Sequence, residues 1–572
     1  MAGSYIDLSM ASINRRTVLT GAAVATGVTA LGAGGYELLR RPGRSESSAA
    51  GGNKPNILVI VVDQMRAPQW FPEPAKLTAL LPNIARLQRN SVSFESHYTA
   101  SNACTPSRGV MTTGLYSHQT GCLFTAAVTV AGPTESTLAP QFPTWGTLLR
   151  EQGYKTWWWG KWHLGRAGDM SAQGLEAHGF SGGTFPSPNG GPHQGLDGDP
   201  DIVDQFDGWF DDKAGSGPWC TTVSLVNPHD ICWWPKIPLP ENVPHLFSSA
   251  PGNFETPDDL RRRNKPQLQI DYIDFSPLAT GALSYSGPDM QAGWARCLDM
   301  YLWLQQQVDT QIGRVLDKLA SRPDIDRNTV VVFTSDHGEY GGSHGLRGKG
   351  AAAYDEAIRV PLFIRDPHGR LTPKAGDTRS QLTSSVDLAP LLLTIAVGGN
   401  GWRSDPRYDY LAGRADIAAM AGNASAPGRP WVAHVTDDVS VEEMDTMLKS
   451  PVMRGMFKIT EHPTNIPTSA PSHIVAVRTR DAKLATYSYW KPGGMDADTT
   501  RPTEREFYDY STPSGRQEID NQAGRNPEEA ALQALIDHQV MAEVRAPLPP
   551  RMSTAQEQGL ADMRHLVALY GG

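Results

Sequence analysis

The chain contains few cysteines, and their spacing does not match a structural zinc site. Five cysteines occur among the 572 residues, and no two of them form the closely spaced pairs that tetrahedral zinc sites use. Cys220 and Cys232 could form a disulfide in an oxidising compartment, although solitary buried thiols are the favoured interpretation. The sequence also shows no internal repeats, so nothing in it indicates a repeat architecture.

The chain also lacks an excess of basic residues. Its 51 Lys and Arg residues against 60 Asp and Glu residues give a formal net charge of −9. This balance argues against nucleic acid as a partner, because nucleic-acid-binding proteins carry basic patches. A local basic pocket inside an acidic protein is still consistent with an anionic substrate. A chain of this length is too long for one ordinary domain and can bury a large core.

Four continuous apolar runs predict the strands of a buried sheet. They occupy residues 56–62, 156–159, 221–226 and 329–333. Runs rich in β-branched and aromatic residues are typical of strands buried on both faces of a largely parallel sheet. Ligands of such sheets bind beyond the carboxyl ends of the strands. Polar side chains follow the four runs and are therefore expected at one edge: Asp63, Gln64, Lys161, His163, His229, Asp336 and His337.

A second feature is a short segment around Cys104, which we predict to be a loop. Cys104-Thr105-Pro106-Ser107-Arg108, followed by Thr113-Gly114, reads C-x-P-S-R-x-x-x-x-T-G. This pattern resembles the signature of the type I sulfatases, which belong to the alkaline phosphatase superfamily. The competing interpretation is a turn beside a buried thiol. The full spacing and the residues at the strand ends favour the sulfatase resemblance.

The resemblance implies a modified nucleophile at Cys104. In that family a formylglycine-generating enzyme oxidises this cysteine to formylglycine, which replaces the thiol by an aldehyde. The hydrated aldehyde carries two hydroxyls. One attacks the sulfur of the ester, and the other later expels sulfate by re-forming the aldehyde. A serine here would form a sulfate ester without such an exit.

The resemblance also implies one divalent metal ion, with Asp63, Gln64, Asp336, His337 and the modified Cys104 as its ligands. Hard cations prefer oxygen ligands, which the two carboxylates and the amide offer. The pairs Asp-Gln and Asp-His are similar to those of choline sulfatases and phosphonate monoester hydrolases. One carboxylate fewer and one imidazole more than in many sulfatases favours Mn²⁺ over Ca²⁺, and both ions stay open.

The stretch that begins at Asp336 extends this resemblance. Asp336, Glu339, His344 and Lys349 fit the family pattern D-H-G-x-x-x-G-x-H-x-x-x-x-K closely enough to set aside a simple turn after a strand. His344 is expected near the pocket.

Five further side chains have roles that the resemblance implies. Arg108 would orient the formylglycine, while Lys161 and Lys349 would hold the sulfate as compact positive charges. Histidine gives and takes protons near neutral pH. By resemblance His229 protonates the leaving alcohol oxygen, and His163 deprotonates the formylglycine hydroxyl to release sulfate.

The fold expected from the resemblance is an α/β protein with an alkaline-phosphatase-like, large mixed and mostly parallel sheet flanked by helices, plus a smaller C-terminal α+β domain with an antiparallel sheet. We predict a catalytic domain over residues 53–422 and the C-terminal subdomain over 423–572. Residues 398–429 are rich in Gly, Ala, Asp and Pro and predict a linker or loop. In the subdomain a strand is predicted at 431–435, and a hairpin at 474–478 and 482–487.

Residues 1–52 predict a targeting segment and a flexible tail. Arg15 and Arg16 precede an uncharged, weakly apolar run at residues 17–36. The arginine pair and this run together resemble a twin-arginine signal. This signal implies the twin-arginine export machinery as a partner, and a periplasmic or extracellular location. Export of a folded chain suits an enzyme whose cysteine is modified inside the cell. Retention of the run as a membrane anchor stays open.

The expected substrate is a sulfated small molecule or glycan. Phosphonate monoesters and phosphodiesters are an alternative, because they too present a tetrahedral oxyanion to the same charged residues. A non-catalytic anion- or glycan-binding relative is a remote alternative. Trp70, Trp233 and Trp234 follow the site residues in sequence and could bind an aryl group or a quaternary ammonium, or simply pack. The sequence leaves the oligomeric state open.

Overall fold

The computed structural model describes residues 54–67, 74–125, 136–165, 171–240, 242–437, 470–491 and 496–570. Residues 53–572 form one compact unit. The twin-arginine signal predicted within residues 1–52, and Trp70, lie outside the described residues, so both stay predictions.

Fourteen strands occur in the described residues. They are β1 (Asn56–Asp63), β2 (Val92–Phe94), β3 (His97–Tyr98), β4 (Lys155–Gly160), β5 (Ser181–Gly182), β6 (Trp219–Pro228), β7 (Thr329–Ser335), β8 (Leu362–Arg365), β9 (Thr378–Arg379), β10 (Thr383–Ser384), β11 (Val432–Thr436), β12 (His473–Arg478), β13 (Ala482–Ser488) and β14 (Glu504–Asp509).

The main sheet has eight strands in the order β5-β4-β6-β1-β7-β8-β2-β9. The four predicted runs are β4, β6, β1 and β7, and each of the three neighbouring pairs among them is parallel. Val59 in the centre of β1 lies opposite Thr222 of β6 and Val332 of β7. β8 is antiparallel to both β7 and β2. The predicted mixed, mostly parallel sheet is therefore confirmed.

Helices cover both faces of this sheet. The α-helices are α1 (Pro74–Leu80), α2 (Pro82–Arg89), α3 (Cys104–Thr113), α4 (Ser117–Thr120), α5 (Trp145–Arg150), α6 (Ala172–Ala177), α7 (Gln194–Lys213), α8 (Pro257–Arg262), α9 (Gln267–Phe275), α10 (Pro277–Thr280), α11 (Met290–Ala320), α12 (Pro323–Arg327), α13 (Asp355–Ile358), α14 (Leu388–Val397), α15 (Asp409–Ala412), α16 (Ile417–Gly422), α17 (Pro513–Arg516), α18 (Glu529–Leu535), α19 (Met541–Val544) and α20 (Pro550–Tyr570). None of the helices in the described part of the chain has the length and apolar character needed to cross a bilayer.

The side-chain alternation of β1 explains why helices are needed on both faces. Ile57, Val59 and Val61 pack into a core with α5 and α14, whereas Leu58, Ile60 and Val62 pack into a second core with α7 and α11. Successive side chains of a strand point to opposite faces, so a run that is apolar at every position must be covered twice. The apolar runs thus specify a three-layer arrangement of helices, sheet and helices.

The C-terminal part forms a separate antiparallel sheet in the order β11-β12-β13-β14. Its central pair, β12 and β13, is the predicted hairpin. Leu532, Ile536 and Val540 cover one face of this sheet. The other face packs against residues 351–358, just after Lys349. The division of the chain at residue 422 stays a prediction.

The prediction of a linker or loop at residues 398–429 is wrong. This segment contains α15, α16 and two 3₁₀ turns. Trp402, Leu411, Ile417 and Met420 from it are buried in the core beside α14. A few well-spaced apolar residues are enough to anchor a glycine- and alanine-rich segment in the core. The overall composition of the segment does not reveal these residues.

Candidate active site

The carboxyl ends of the central strands bring the predicted residues together. Asp63 ends β1, and Asp336 follows β7, the neighbour of β1. Lys161 follows β4, and His229 follows β6. These strands are parallel neighbours, so residues at their carboxyl ends meet at one edge, as predicted.

Cys104 lies at the centre of this edge. Its Sγ is 3.2 Å from His337 Nε2, 3.3 Å from Lys349 Nζ and 3.5 Å from Lys161 Nζ. The residue is buried. It begins helix α3 and does not lie in a loop as predicted. Pro106 is compatible with this helix because it occupies the first turn, where the backbone N–H groups have no partner within the helix.

The charges around Cys104 favour its thiolate. Burial alone would raise the pKa of the thiol, but Lys161, Lys349 and His337 outweigh it and hold the pKa well below the ordinary value. A hydrogen bond from the His163 side chain acts in the same direction. The position at a helix N-terminus also favours a negative charge. The pocket is thus built around an anion at residue 104.

Arg108 connects the two carboxylates. Its Nη2 donates to Asp63 Oδ2 at 2.8 Å, and its Nε lies 2.9 Å from Asp336 Oδ2. All three side chains are fully buried. Its Nη1 donates to the Lys161 carbonyl and to Ser224 Oγ. Arg108 follows Cys104 by four residues in α3, so both side chains lie on one face of the helix.

The two carboxylates differ in charge state. Burial and the Cys104 charge raise the pKa of Asp63, but Lys161, His229 and Arg108 hold it far below the usual range. Lys161 Nζ donates to Asp63 at 2.8 Å. Burial and the nearby charge of Asp63 raise the pKa of Asp336 to about 6. Asp63 is therefore the carboxylate that stays ionised over the wider pH range.

The donor set fits a divalent cation. Asp63, Cys104, Asp336 and His337 each place one donor atom within 4.8 Å of the others. His337 Nδ1 lies 3.1 Å from the Gly338 carbonyl, to which it can only donate, so its Nε2 turns a lone pair toward the cluster when the ring is neutral. Two buried carboxylates, one imidazole and the residue at position 104 are ligands that Mn²⁺ or Ca²⁺ accepts.

Gln64 lies at the margin of this cluster. Its Oε1 accepts a hydrogen bond from Lys349 Nζ at 2.9 Å and one from the Cys232 thiol at 3.1 Å, while its Nε2 donates to Glu339. The amide is thus fixed from both ends. Sequence reasoning missed the contact between Cys232 and Gln64; the only signal was the position of Cys232 three residues after His229.

The side chains of His229 and Lys161 lie close to the backbone of Gly190. At Gly190 the backbone φ is +96°, and a Cβ there would stand 2.5 Å from His229 Cε1 and 2.9 Å from Lys161 Nζ. No larger residue fits this close approach. Trp233 Nε1 donates to the Gly190 carbonyl at 2.8 Å, so this predicted rim residue also fixes the glycine loop. Burial and the charges of Lys349 and Lys161 lower the pKa of His229 to about 3.

His344 belongs to a different buried cluster. Its Nδ1 lies 2.7 Å from Glu255, its Nε2 lies 3.6 Å from Glu356, and its ring stacks on Tyr354. All five cysteines are free, so Cys220 and Cys232 do not form a disulfide.

The sheet and its flanking helices have the alkaline-phosphatase-like fold that the resemblance implied, because they match solved phosphonate monoester hydrolase and sulfatase structures. The sulfatase family profile matches residues 55–399. The chain belongs to the sulfatase family, as its signature predicted.

Two relatives support this assignment, and a solved structure supports the fold. The uncharacterized sulfatase YidJ of Escherichia coli K12 is 29% identical over 347 residues, which cover 55% of this chain and 62% of that protein. The choline-sulfatase of Rhizobium meliloti is 26% identical over 385 residues, covering 60% and 68% of the two chains. The phosphonate monoester hydrolase of Silicibacter pomeroyi has the same fold, with a TM-score of 0.60 at 20% identity over 87% of this chain and 97% of the other.

The charge environment predicts one thiolate in metal-free protein made in a host without a formylglycine-generating enzyme. Cys104 should stay ionised at pH values below the ordinary thiol pKa of about 8.5. The pKa values of Cys122 and Cys297 are raised to about 12, and that of Cys232 to about 11, chiefly by burial. Ultraviolet absorption should therefore show a thiolate at neutral pH that disappears in Cys104→Ala.

Cys232→Ala is the matched control, because it removes a neighbouring thiol that should be protonated at neutral pH. Equal neutral-pH absorption in the parent protein and in Cys104→Ala would contradict the assigned charge environment.

Proposed function

We propose that the protein hydrolyses sulfate esters, with formylglycine derived from Cys104 as nucleophile and one divalent metal ion as cofactor. The observation that carries the proposal is the position of Cys104, within 3.5 Å of Lys161, Lys349 and His337 and beside the Asp63 carboxylate. Membership of the sulfatase family supports it. A sulfated small molecule or glycan is the proposed substrate class.

The two lysines bind the substrate anion in this proposal. Lys161 and Lys349 both have their ammonium groups next to residue 104, so an ester sulfate placed for attack lies between them. Asp63, Asp336, His337 and residue 104 would hold the metal, with Gln64 beside them. A bound cation supplies charge stabilisation on the sulfate oxygens. Arg108 keeps the two carboxylates in place and compensates their charge.

Residue 104 forms and breaks the bond to sulfur. One hydroxyl of the hydrated formylglycine gives its proton to one of the two carboxylates beside residue 104, Asp63 or Asp336, and attacks sulfur, and the bond to the alcohol oxygen breaks. The alcohol takes a proton from His229. His163 then accepts the proton of the second hydroxyl, the aldehyde re-forms, and sulfate leaves. The hydrogen bond between His163 and the Cys104 side chain supports this assignment of the base.

The low pKa of His229 is compatible with its role as an acid. Besides burial, the charges of Lys349 and Lys161 lower it, and a bound sulfate ester brings a negative charge that compensates both lysines. A nearby negative charge favours the protonated imidazole. Substrate binding therefore raises the pKa of His229 at the step that needs its proton.

A phosphonate monoester or phosphodiester is the second candidate substrate. Its tetrahedral oxyanion would fit the same lysines, and the Asp-Gln and Asp-His pairs occur in both kinds of enzyme. The sulfatase profile favours sulfate esters, and kcat/KM values for matched aryl sulfates and phosphonates decide between the two.

The nucleophile is tested by Cys104→Ala and Cys104→Ser in protein made together with a formylglycine-generating enzyme. Both variants should lose at least about a thousandfold in kcat, because neither can form the gem-diol. Mass spectrometry of the peptide with residue 104 should show formylglycine in the parent protein. Normal turnover by either variant would rule out a formylglycine nucleophile, and circular dichroism controls for folding.

Metal binding is tested by Asp63→Asn and Asp336→Asn. Each variant removes a charged oxygen ligand, so metal content and activity should fall together. Chelation should inactivate the parent protein, and Mn²⁺ or Ca²⁺ should restore it. Elemental analysis provides the measurement; full metal occupancy in both variants would contradict this ligand assignment.

The two histidines are separated by the leaving group. His229→Ala should slow an alkyl sulfate by about 10²–10⁴-fold and p-nitrophenyl sulfate much less, because a good leaving group departs without a proton donor. His163→Ala should slow both substrates by a similar factor, because sulfate release does not depend on the departed alcohol. Steady-state kinetics of the two variants on both esters is the measurement. If His229→Ala slowed the hydrolysis of both esters by the same factor, His229 would only position the substrate.

A further inference from the structure

A second buried cluster of metal-binding residue types lies at the junction of α4 with the C-terminal sheet. His118 of α4, Asp437 after β11 and His473 at the start of β12 each place one donor atom within 4.8 Å of the others. The three side chains are at most 2% exposed. None of them belongs to the active site described above.

The carboxylate joins the two imidazoles. Asp437 Oδ2 lies 3.1 Å from His118 Nε2, and Asp437 Oδ1 lies 2.7 Å from His473 Nδ1. The two rings stack on each other with centroids 5.6 Å apart, and Trp490 covers His473 with a centroid distance of 4.0 Å. Three elements far apart in sequence therefore converge on one small, buried volume.

Two groups can supply the positive charge that the buried Asp437 carboxylate needs: a protonated His473, 2.7 Å away, or a bound metal cation. Among the described residues, no lysine or arginine forms an ion pair with Asp437; its only ionisable partners are the two histidines. A buried carboxylate is stable only when its charge is compensated. Burial lowers the pKa of His118, which disfavours an imidazolium there.

We propose that His118, Asp437 and His473 form a second metal site, which binds Zn²⁺ and fastens the C-terminal sheet to the segment downstream of Cys104. Two imidazoles and a carboxylate supply three of the four ligands of a tetrahedral zinc ion, and in such sites a water molecule takes the fourth position. Tetrahedral ligands about 2.1 Å from zinc stand roughly 3.4 Å apart. The observed separations of 3.1 and 2.7 Å require only a small opening of the side chains.

The location gives the site a structural role. His118 lies five residues after Thr113 at the end of α3, the helix that begins at Cys104. Thr436, the last residue of β11, directly precedes Asp437. Its Oγ1 donates to the carbonyl of Asn102 at 2.8 Å, and Asn102 lies two residues before Cys104. A metal bound by α4, β11 and β12 would therefore restrain the polypeptide on both sides of the nucleophile. The proposal does not depend on the reaction that Cys104 catalyses.

The test removes the active-site metal first. The double variant Cys104→Ala/His337→Asn, which lacks two proposed ligands of the catalytic metal but keeps the contact of Arg108 with Asp63 and Asp336, is stripped with a chelator, incubated with ZnCl₂ and desalted, and its bound zinc is measured by elemental mass spectrometry. We expect one zinc per chain and a thermal midpoint that rises with added zinc, because a ligand that binds only the folded state stabilises it. X-ray absorption should show imidazole ligation.

Adding His118→Asn and His473→Asn to this background should abolish both the bound zinc and the zinc-dependent rise in the midpoint. Asp437→Asn, which preserves size, tests the same site if the histidine variants do not fold. His434→Asn is the matched control: it changes a buried histidine of β11 whose ring contacts the Thr99 carbonyl, and it should leave zinc binding intact.

Two results would overturn the proposal. One is a folded background variant that binds no zinc, which would mean that the cluster compensates its carboxylate with a proton. The other is unchanged zinc binding after the loss of His118 and His473. Neither result bears on sulfate ester hydrolysis, because the background variant already lacks two of the proposed ligands of the catalytic metal.

Discussion

The contact of Arg108 with Asp63 and Asp336 is the interaction on which the site depends. Three charged side chains with no exposure to water are stable only if each compensates the others, and removing one leaves an unpaired buried charge. This requirement fixes the register of α3 against β1 and β7. Cys104, one turn earlier in the same helix, is thereby held beside Lys161 and Lys349. The position of Cys104 therefore follows from the pairing of Arg108 with Asp63 and Asp336.

The second sheet also contributes to the site, although it supplies none of the proposed catalytic residues. Its inner face packs on residues 351–358, which follow Lys349 in the chain. Lys483 of β13 donates to the Ala353 carbonyl at 2.5 Å and pairs with Asp355 at 3.2 Å. The C-terminal part of the chain therefore positions one of the two lysines that flank Cys104. A truncated chain without this sheet would keep the signature but lose the support of Lys349.

Much of this arrangement could be predicted from the sequence, because the relevant signals are local. Continuous apolar runs identified β1, β4, β6 and β7, and the parallel rule placed the residues after them at one edge. The fixed amide of Gln64 and the close approach of Gly190 could not be predicted. Each depends on partners far away in sequence, such as Glu339 for Gln64, 275 residues distant. The helices within residues 398–429 were not predicted, because only a small number of apolar residues anchors them in the core.

The lysines beside Cys104 and the low pKa of His229 describe a pocket that carries its positive charge before any ligand arrives. The free sulfate ion has the same tetrahedral shape as the ester group and one more negative charge. A cavity that attracts the ester through charge attracts the released ion at least as strongly. Under the proposed function, the release of sulfate and the sulfate concentration of the surroundings are therefore expected to influence the rate of turnover. The same preorganised charge that prepares the pocket for attack is then expected to slow the release of sulfate.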